Sequence, residues 1–212
     1  LPLVARVQQT WRSKLLDILV KAAAVTVTVE FYLIGLPILY WLGAHDGCQL
    51  LVGCLALTTW VLESPRDVEY GAPSMHLSLA LVMQGTAAHL AACALTTRWG
   101  WEQHSPAAWA LHAGLGALAL AWAALIAWSR LYLGVHTPVD LALGAATGGS
   151  VLALWRCLGP CWLAWLKTAA PSQCAAYLLL HGLLLALYPR PKAHTSRSGN
   201  EQAIVLLQWL RL

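Results

Sequence analysis

The sequence predicts an all-α fold, a polytopic membrane bundle of about six transmembrane helices. Of its 212 residues, 59% are hydrophobic and only 10% are charged, whereas soluble domains carry about 25% charged residues. Apolar runs near the length of about 20 residues that a helix needs to cross the bilayer recur along the chain. Twelve tryptophans stand against one phenylalanine, and tryptophan is enriched at membrane–water interfaces. This composition excludes an ordinary soluble domain.

The predicted spans are six apolar runs whose ends carry local helix signals. They cover residues 22–42, 48–62, 75–95, 107–128, 139–158 and 173–188. Ser105-Pro106 and Thr137-Pro138 stand where the fourth and fifth spans begin, and such pairs are typical of a helix start. A further apolar segment, 203–212, is a candidate for an extra C-terminal helix. Because neither an internal repeat nor a linker interrupts the chain, we predict a single membrane-embedded domain over residues 1–212, with its motifs between residues 52 and 149.

Charge and cysteine usage narrow the classes of partner. The net charge of +4 is scattered, and no basic run contains interleaved aromatic residues, so no nucleic-acid partner is expected. The six cysteines lie mostly within or beside apolar runs and show neither CxxC nor zinc-ligand spacing. We therefore expect them to pack as small hydrophobes. His89, His112 and His181 also lie within apolar runs, and we predict that they form hydrogen bonds between helices.

Two polar clusters interrupt the apolar pattern, at residues 63–76 and 129–140. Two predicted helices separate them, so both emerge on the same membrane face of an up-and-down bundle. Polar clusters at the ends of membrane helices are candidates for a functional site. The side chains brought to that face are Arg66, Ser74, His76, Arg130, His136 and Asp140.

These residue types suit phosphoryl transfer. The guanidinium group of arginine matches phosphate oxygens, and Ser74 stands at a predicted helix start, where backbone N–H groups favour anions. Two histidines are enough for one nucleophile and one proton donor. Asp140 follows His136 by one helical turn and can orient its imidazole by accepting a hydrogen bond. The pattern therefore predicts phosphoryl transfer to histidine, followed by hydrolysis.

The spacing of these residues resembles that of the type 2 phosphatidic acid phosphatase family. Ser129-Arg130, followed after a gap of five by His136 and after a gap of three by Asp140, is similar to its third signature. Pro73-Ser74-Met75-His76 resembles its second signature, Pro-Ser-Gly-His, and Pro65-Arg66 resembles the end of its first. The Glu-Tyr-Gly-Ala-Pro-Ser segment before Met75 and the helices after the third motif look most like the sphingosine-1-phosphate and long-chain-base phosphate phosphatases.

The resemblance implies a lipid phosphate phosphatase of the endoplasmic reticulum membrane that needs no metal and no cofactor. It implies that His136 is the nucleophile, that Asp140 orients it, and that His76 protonates the leaving group and then activates water. The implied phosphate-binding residues are Arg66, Arg130 and Ser74. The implied substrate is a lipid phosphate within the bilayer, a sphingoid long-chain-base phosphate in the subfamily it looks most like. The oligomeric state stays open.

The sequence departs from the family pattern at three positions. Thr59 stands where the first signature begins with lysine, and Asp67 follows Arg66 where proline is usual. Met75 replaces the glycine of the second signature, which keeps the backbone donor but adds bulk. Loss of one cation at a phosphate site removes a few kcal/mol of transition-state stabilisation. These departures leave open a weakened or inactive protein of the same fold that binds phospholipid or acts as a scaffold.

Two other enzyme classes also fit part of the pattern. His76, His136 and Asp140 are three side chains of the kind that bind zinc, although two arginines beside a divalent cation are electrostatically unfavourable. Vanadium-dependent haloperoxidases share the resembling motifs, but they are soluble as a group, and the apolar spans of this chain oppose that class.

The sidedness of the site is not determined by charge. After the two phosphate-binding arginines are discounted, seven Lys and Arg residues share the predicted site face and three lie on the opposite face. The positive-inside rule then places the site in the cytosol. The resemblance implies the lumenal side instead, so sidedness is left open.

Overall fold

The structure, a computed structural model, describes residues 13–63 and 73–187. All regular secondary structure in these ranges is helical, which confirms the predicted all-α class. The helices are α1 (Lys14–Val25), α2 (Val29–Trp41), α3 (His45–Glu63), α4 (Met75–Arg98), α5 (Pro106–Leu133), α6 (Pro138–Thr168) and α7 (Pro171–Leu187). Helix α4 contains a π-helical turn at Ala80–Gln84. The candidate helix at 203–212 lies outside the described residues.

The first predicted span, 22–42, is wrong as one helix, because α1 ends at Val25 and α2 begins at Val29. Residues 25–29 are five consecutive β-branched residues, which lose side-chain freedom in a helix. The Thr26 hydroxyl donates to the Ala23 carbonyl at 2.7 Å, and Thr28 caps α2 by accepting from the Phe31 N–H at 3.4 Å. These side-chain hydrogen bonds satisfy backbone groups at the break between the two helices.

Three of the described helices, α4, α5 and α6, are long and apolar enough to cross a membrane. Large apolar side chains of α5 and α6 are exposed; Leu118 and Leu120 on α5 are 65% and 63% accessible. A soluble protein seldom exposes such extended apolar surface, whereas these side chains suit contact with lipid. The chain is therefore a multi-pass membrane protein. The total of six spans stays a prediction.

The core beneath the two sequence motifs is formed by α1, α4, α5 and α6. Leu77 directly follows His76, and Leu141 directly follows Asp140; both are buried in one cluster with Ile126, which lies one turn before Arg130. Burial of an aliphatic side chain contributes about 1.5–3 kcal/mol. Packing of these side chains therefore fixes the positions of the adjacent polar residues His76, Arg130 and Asp140.

Contacts group the described helices into two compact units. Helices α1 to α6 belong to the first unit, and α7 belongs to the second. All the described residues of the candidate site lie in the first unit. The single domain over residues 1–212 stays a prediction.

Candidate active site

The start of α4 lies directly against the start of α6. The Ser74 N–H donates to the Asp140 carbonyl at 3.0 Å, and the Ser78 hydroxyl donates to the Gly144 carbonyl at 2.8 Å. A Cβ atom on Gly144 would lie 2.8 Å from the Ser74 carbonyl oxygen, and one on Gly148 would lie 2.8 Å from the Ser78 Cα. Only glycine permits this approach, which is the small-residue packing expected between membrane helices. The contact joins the second sequence motif to the third.

Asp140 has two partners at the start of α6. Its Oδ2 atom accepts from the Thr137 N–H at 2.7 Å, while the Thr137 hydroxyl accepts from the Asp140 N–H at 3.3 Å. This reciprocal capping box fixes the carboxylate. The same Oδ2 atom lies 3.8 Å from His136 Nδ1, within ion-pair range but longer than a hydrogen bond. His136 and Asp140 are therefore neighbours, as their spacing predicts, and the hydrogen bond that would orient His136 stays a prediction.

The two histidines and one arginine converge at this place. His76 occupies the first turn of α4, and the charges of Arg130 and His136 both act on it. Arg130 is 7% exposed in the last turn of α5, and its Nε atom has no hydrogen-bond partner among the described residues. Ser74 is fully buried, and its hydroxyl likewise has no described partner. Because buried polar groups are nearly always hydrogen-bonded, these two donors fit a phosphate that supplies the acceptors.

The turn after α5 determines how Arg130 and His136 approach each other. Gly134 ends the helix with a φ of 72°, a left-handed conformation that favours glycine. The Val135 N–H then donates back to the Arg130 carbonyl at 3.1 Å. This tight return places His136 beside the last turn of α5. Because of this turn, His136 follows Arg130 by only six positions although the two lie on different elements of the chain.

A hydrogen bond that the sequence did not predict ties this region to α1. The Tyr132 hydroxyl donates to Asp17 Oδ1 at 2.6 Å, and Tyr132 is 5% exposed. Tyr132 lies two residues after Arg130 within the third motif. No spacing rule connects it to Asp17, 115 positions earlier; only the folded bundle brings the two together.

Five of the six predicted site residues are described, and the structure brings them to one end of the α4–α5–α6 group. The sixth, Arg66, lies outside the described residues, as does the departure Asp67. Thr59 lies on α3, where its hydroxyl donates to the Leu55 carbonyl at 2.9 Å and adds no charge. Thr137 marks the helix start in the sequence, and Thr-x-x-Asp is also a recognisable variant of the capping-box pattern that the structure shows. The roles of all these residues stay predictions.

Comparison with known proteins agrees with the geometry. Residues 48–162, more than half of the chain, match the PAP2 superfamily. The chain is similar to Lipid phosphate phosphatase delta of Arabidopsis thaliana, with 28% identity over 220 residues that cover 92% of this chain and 50% of the relative. The chain thus spans about half the length of that relative. No solved structure matches it. The chain belongs to the PAP2 superfamily.

Proposed function

We propose that this protein hydrolyses a lipid phosphate monoester through a phosphohistidine on His136. The observation that carries the proposal is the buried Arg130, whose Nε has no described partner and whose charge, like that of His136, acts on His76. A buried guanidinium near two imidazoles suits a phosphate ester: one imidazole attacks phosphorus and the other protonates the leaving alkoxide. The similarity to a protein named lipid phosphate phosphatase supports the same class of reaction.

In the first step His136 Nε2 attacks phosphorus. Its Nδ1 faces the Asp140 carboxylate, which leaves Nε2 as the ring nitrogen for attack. The N–P bond forms as the P–O bond to the lipid breaks, and His76 donates a proton to the departing alkoxide. Negative charge develops on the equatorial oxygens, where Arg130, Ser74 and Arg66 stabilise it.

In the second step water cleaves the phosphohistidine. His76, now neutral, accepts a proton from water as the oxygen attacks phosphorus. The N–P bond breaks, its electron pair returns to His136, and inorganic phosphate leaves. Both histidines regain their starting protonation, so the cycle needs no further reactant. Arginine and N–H donors supply the positive charge, and the proposed reaction uses no metal and no cofactor.

The proposed substrate is a sphingoid long-chain-base phosphate presented within the bilayer, and the proposed location is the endoplasmic reticulum. The support is the Glu-Tyr-Gly-Ala-Pro-Ser segment that ends at Ser74, together with the long apolar helices α5 and α6, whose exposed side chains suit an acyl or sphingoid chain. Phosphate release from a long-chain-base phosphate and from phosphatidate, measured side by side, tests the choice.

The nucleophile is tested by His136→Ala in purified protein. We expect phosphate release to fall below about a hundredth of the parent rate, because deletion of a nucleophile removes the covalent route. Acid-labile radiolabel should be trapped on the parent protein after rapid quench and be absent from the variant. His104→Ala, an exposed change in the loop before α5, is the matched control and should keep both signals. Full activity in His136→Ala would refute the covalent mechanism.

A second candidate function is a phospholipid-binding protein of the same fold without turnover. Thr59 favours it, since its hydroxyl is bonded to the Leu55 carbonyl and supplies no charge to a phosphate. Binding of a lipid phosphate without phosphate release, in protein shown to be folded, would support this candidate over the enzyme.

A further inference from the structure

Three metal-ligand side chains meet between α4 and α5, away from the phosphate site. His89 and Cys93 are one turn apart on α4, and His112 faces them from α5. Their ligand atoms all lie within 4.8 Å of one another, and each side chain is partly buried. His89 follows His76 by thirteen positions, about 20 Å along a helix. The group therefore belongs to no part of the proposed phosphoryl transfer.

The two sulfur–nitrogen distances within this group match those of a zinc site. Tetrahedral angles with Zn–S of about 2.3 Å and Zn–N of about 2.05 Å place sulfur and nitrogen ligands about 3.5 Å apart. Cys93 Sγ lies 3.6 Å from His89 Nε2 and 3.7 Å from His112 Nε2. The ligand atoms span up to 4.8 Å, whereas two nitrogens on a tetrahedral zinc lie about 3.3 Å apart. A metal ion can thus bind to all three once side-chain rotation draws the two imidazoles together by roughly 1.5 Å. A mixed set of imidazole and thiolate ligands suits Zn²⁺ or another thiophilic cation.

The ring of His112 is already held in the orientation that a metal ligand needs. Its Nδ1 lies 2.8 Å from the Ala108 carbonyl oxygen, a distance at which Nδ1–H donates to that carbonyl. That tautomer leaves the lone pair of Nε2 directed toward Cys93. Metal-binding histidines usually donate their other ring N–H in this way, often to a backbone carbonyl.

One nearby charge opposes a cation. Arg156 on α6 acts on His89, and its side chain is exposed, which weakens its effect by solvent screening. Deprotonation of Cys93 on binding adds a negative charge in direct contact with the metal and releases a proton to solvent. The thiolate is the closer charge, so it outweighs the arginine.

We propose that His89, Cys93 and His112 form a Zn²⁺ site that cross-links α4 to α5 at the end opposite the phosphate site. The three side chains supply three ligands, and a water molecule supplies the fourth position of a tetrahedral ion. Such a site stabilises the helical hairpin and takes no part in catalysis. The proposal is independent of the proposed phosphatase function.

The test uses Co²⁺ as a spectroscopic probe for Zn²⁺ in the full chain. The exposed Cys157 and Cys161 on α6 are first changed to serine, because they are accessible to added metal. This background protein should bind one equivalent of Co²⁺, with a thiolate-to-cobalt charge-transfer band in the near ultraviolet, and added Zn²⁺ should abolish the band. Cys93→Ser should remove the band, and His112→Gln should weaken binding at least tenfold. Zn²⁺ should raise the Tm of the background protein and not that of Cys93→Ser.

Three outcomes would overturn the site. They are the absence of the band in folded background protein, a band that persists in Cys93→Ser, and an equal Tm shift in both proteins. The first would mean that the thiol only donates a hydrogen bond to an imidazole. Helical circular dichroism and elution volume establish that each variant is folded. The changed residues are not among those of the phosphate site. Phosphate release by Cys93→Ser should therefore match that of the background protein.

Discussion

Gly144→Ala tests whether the contact between α4 and α6 positions the phosphate site. The added Cβ would lie 2.8 Å from the Ser74 carbonyl oxygen, 3.1 Å from its nitrogen and 3.2 Å from its Cβ. All three are atoms that a side-chain rotation cannot move away, so the start of α4 has to shift. Ordinary contact begins at 3.4 Å, which requires a displacement of roughly 0.6 Å, an overpacking of the kind that costs about 1–3 kcal/mol.

The displacement matters more for activity than for folding. Alanine gains about 1 kcal/mol of helix propensity over glycine, so the net loss of stability is roughly 0–2 kcal/mol after overpacking is included. Catalytic groups have to be held within about 0.5 Å, and a misplacement of 1 Å costs about 100-fold in rate. Because Ser74 and His76 move together with the first turn of α4, we expect kcat/KM to fall about 10- to 100-fold.

The assay is phosphate release from a long-chain-base phosphate in mixed micelles, with Tm measured on the same preparation. Gly149→Ala is the matched control, since it lies on the same helix and a Cβ there meets no atom within 4 Å. The control should keep its activity and gain up to about 1 kcal/mol of stability. Parent activity in Gly144→Ala would show that the position of Ser74 is irrelevant to turnover.

Three further predictions address charge, anchoring and metal. Thr59→Lys should raise the turnover of lipid phosphate, because a four-carbon stem can carry an ammonium group toward the phosphate, and the gain should be larger at low salt. Asp140→Asn should stay inactive in the Thr59→Lys background. An unchanged rate in Thr59→Lys would favour the phospholipid-binding protein over the enzyme. Tyr132→Phe should lower the free energy of unfolding by about 1.5–3 kcal/mol through loss of the hydrogen bond to Asp17. The control Tyr40→Phe, at an exposed site, should change Tm little. Equal Tm values for the two variants would contradict a stabilising role of the Tyr132–Asp17 hydrogen bond. Chelator in excess should leave phosphate release unchanged at temperatures well below Tm, while loss of release that added Zn²⁺ restores would place a metal in the reaction.

The positions of the long helices could be predicted from the sequence because lipid contact requires unbroken apolar runs. The runs at 107–128 and 139–158 correspond to α5 and α6, and both motifs end up at the same end of the bundle, as their spacing predicts. Hydropathy alone did not predict the break between α1 and α2 at residues 25–29. Valine and threonine are apolar or neutral enough to continue a span, but their branching and the threonine hydroxyls favour a break.

Contacts between helices could not be predicted to the same degree. His89 and Cys93 stand four residues apart in sequence, yet the third member of their group, His112, joins only through the packing of α4 on α5. The sequence therefore indicated interhelical hydrogen bonds and gave no signal of a metal site. Similarly, the sequence does not identify Ser74 as the residue whose backbone approaches Gly144.

The burial of Arg130 bears on the strength of the proposed phosphate binding. Removing a charged group from water costs several kcal/mol unless a partner of opposite charge compensates, and among the described residues no carboxylate forms an ion pair with Arg130. In the proposed site, the negative charge of a bound phosphate group would compensate the desolvation of the Arg130 guanidinium that folding requires. The attraction between two such groups also grows as the effective dielectric constant falls, from about 1 kcal/mol at 4 Å in water to about 4 kcal/mol near a protein surface. In the proposed site a buried Arg130 would therefore contribute more than an exposed cation does, and this would offset the absence of a lysine at the position of Thr59.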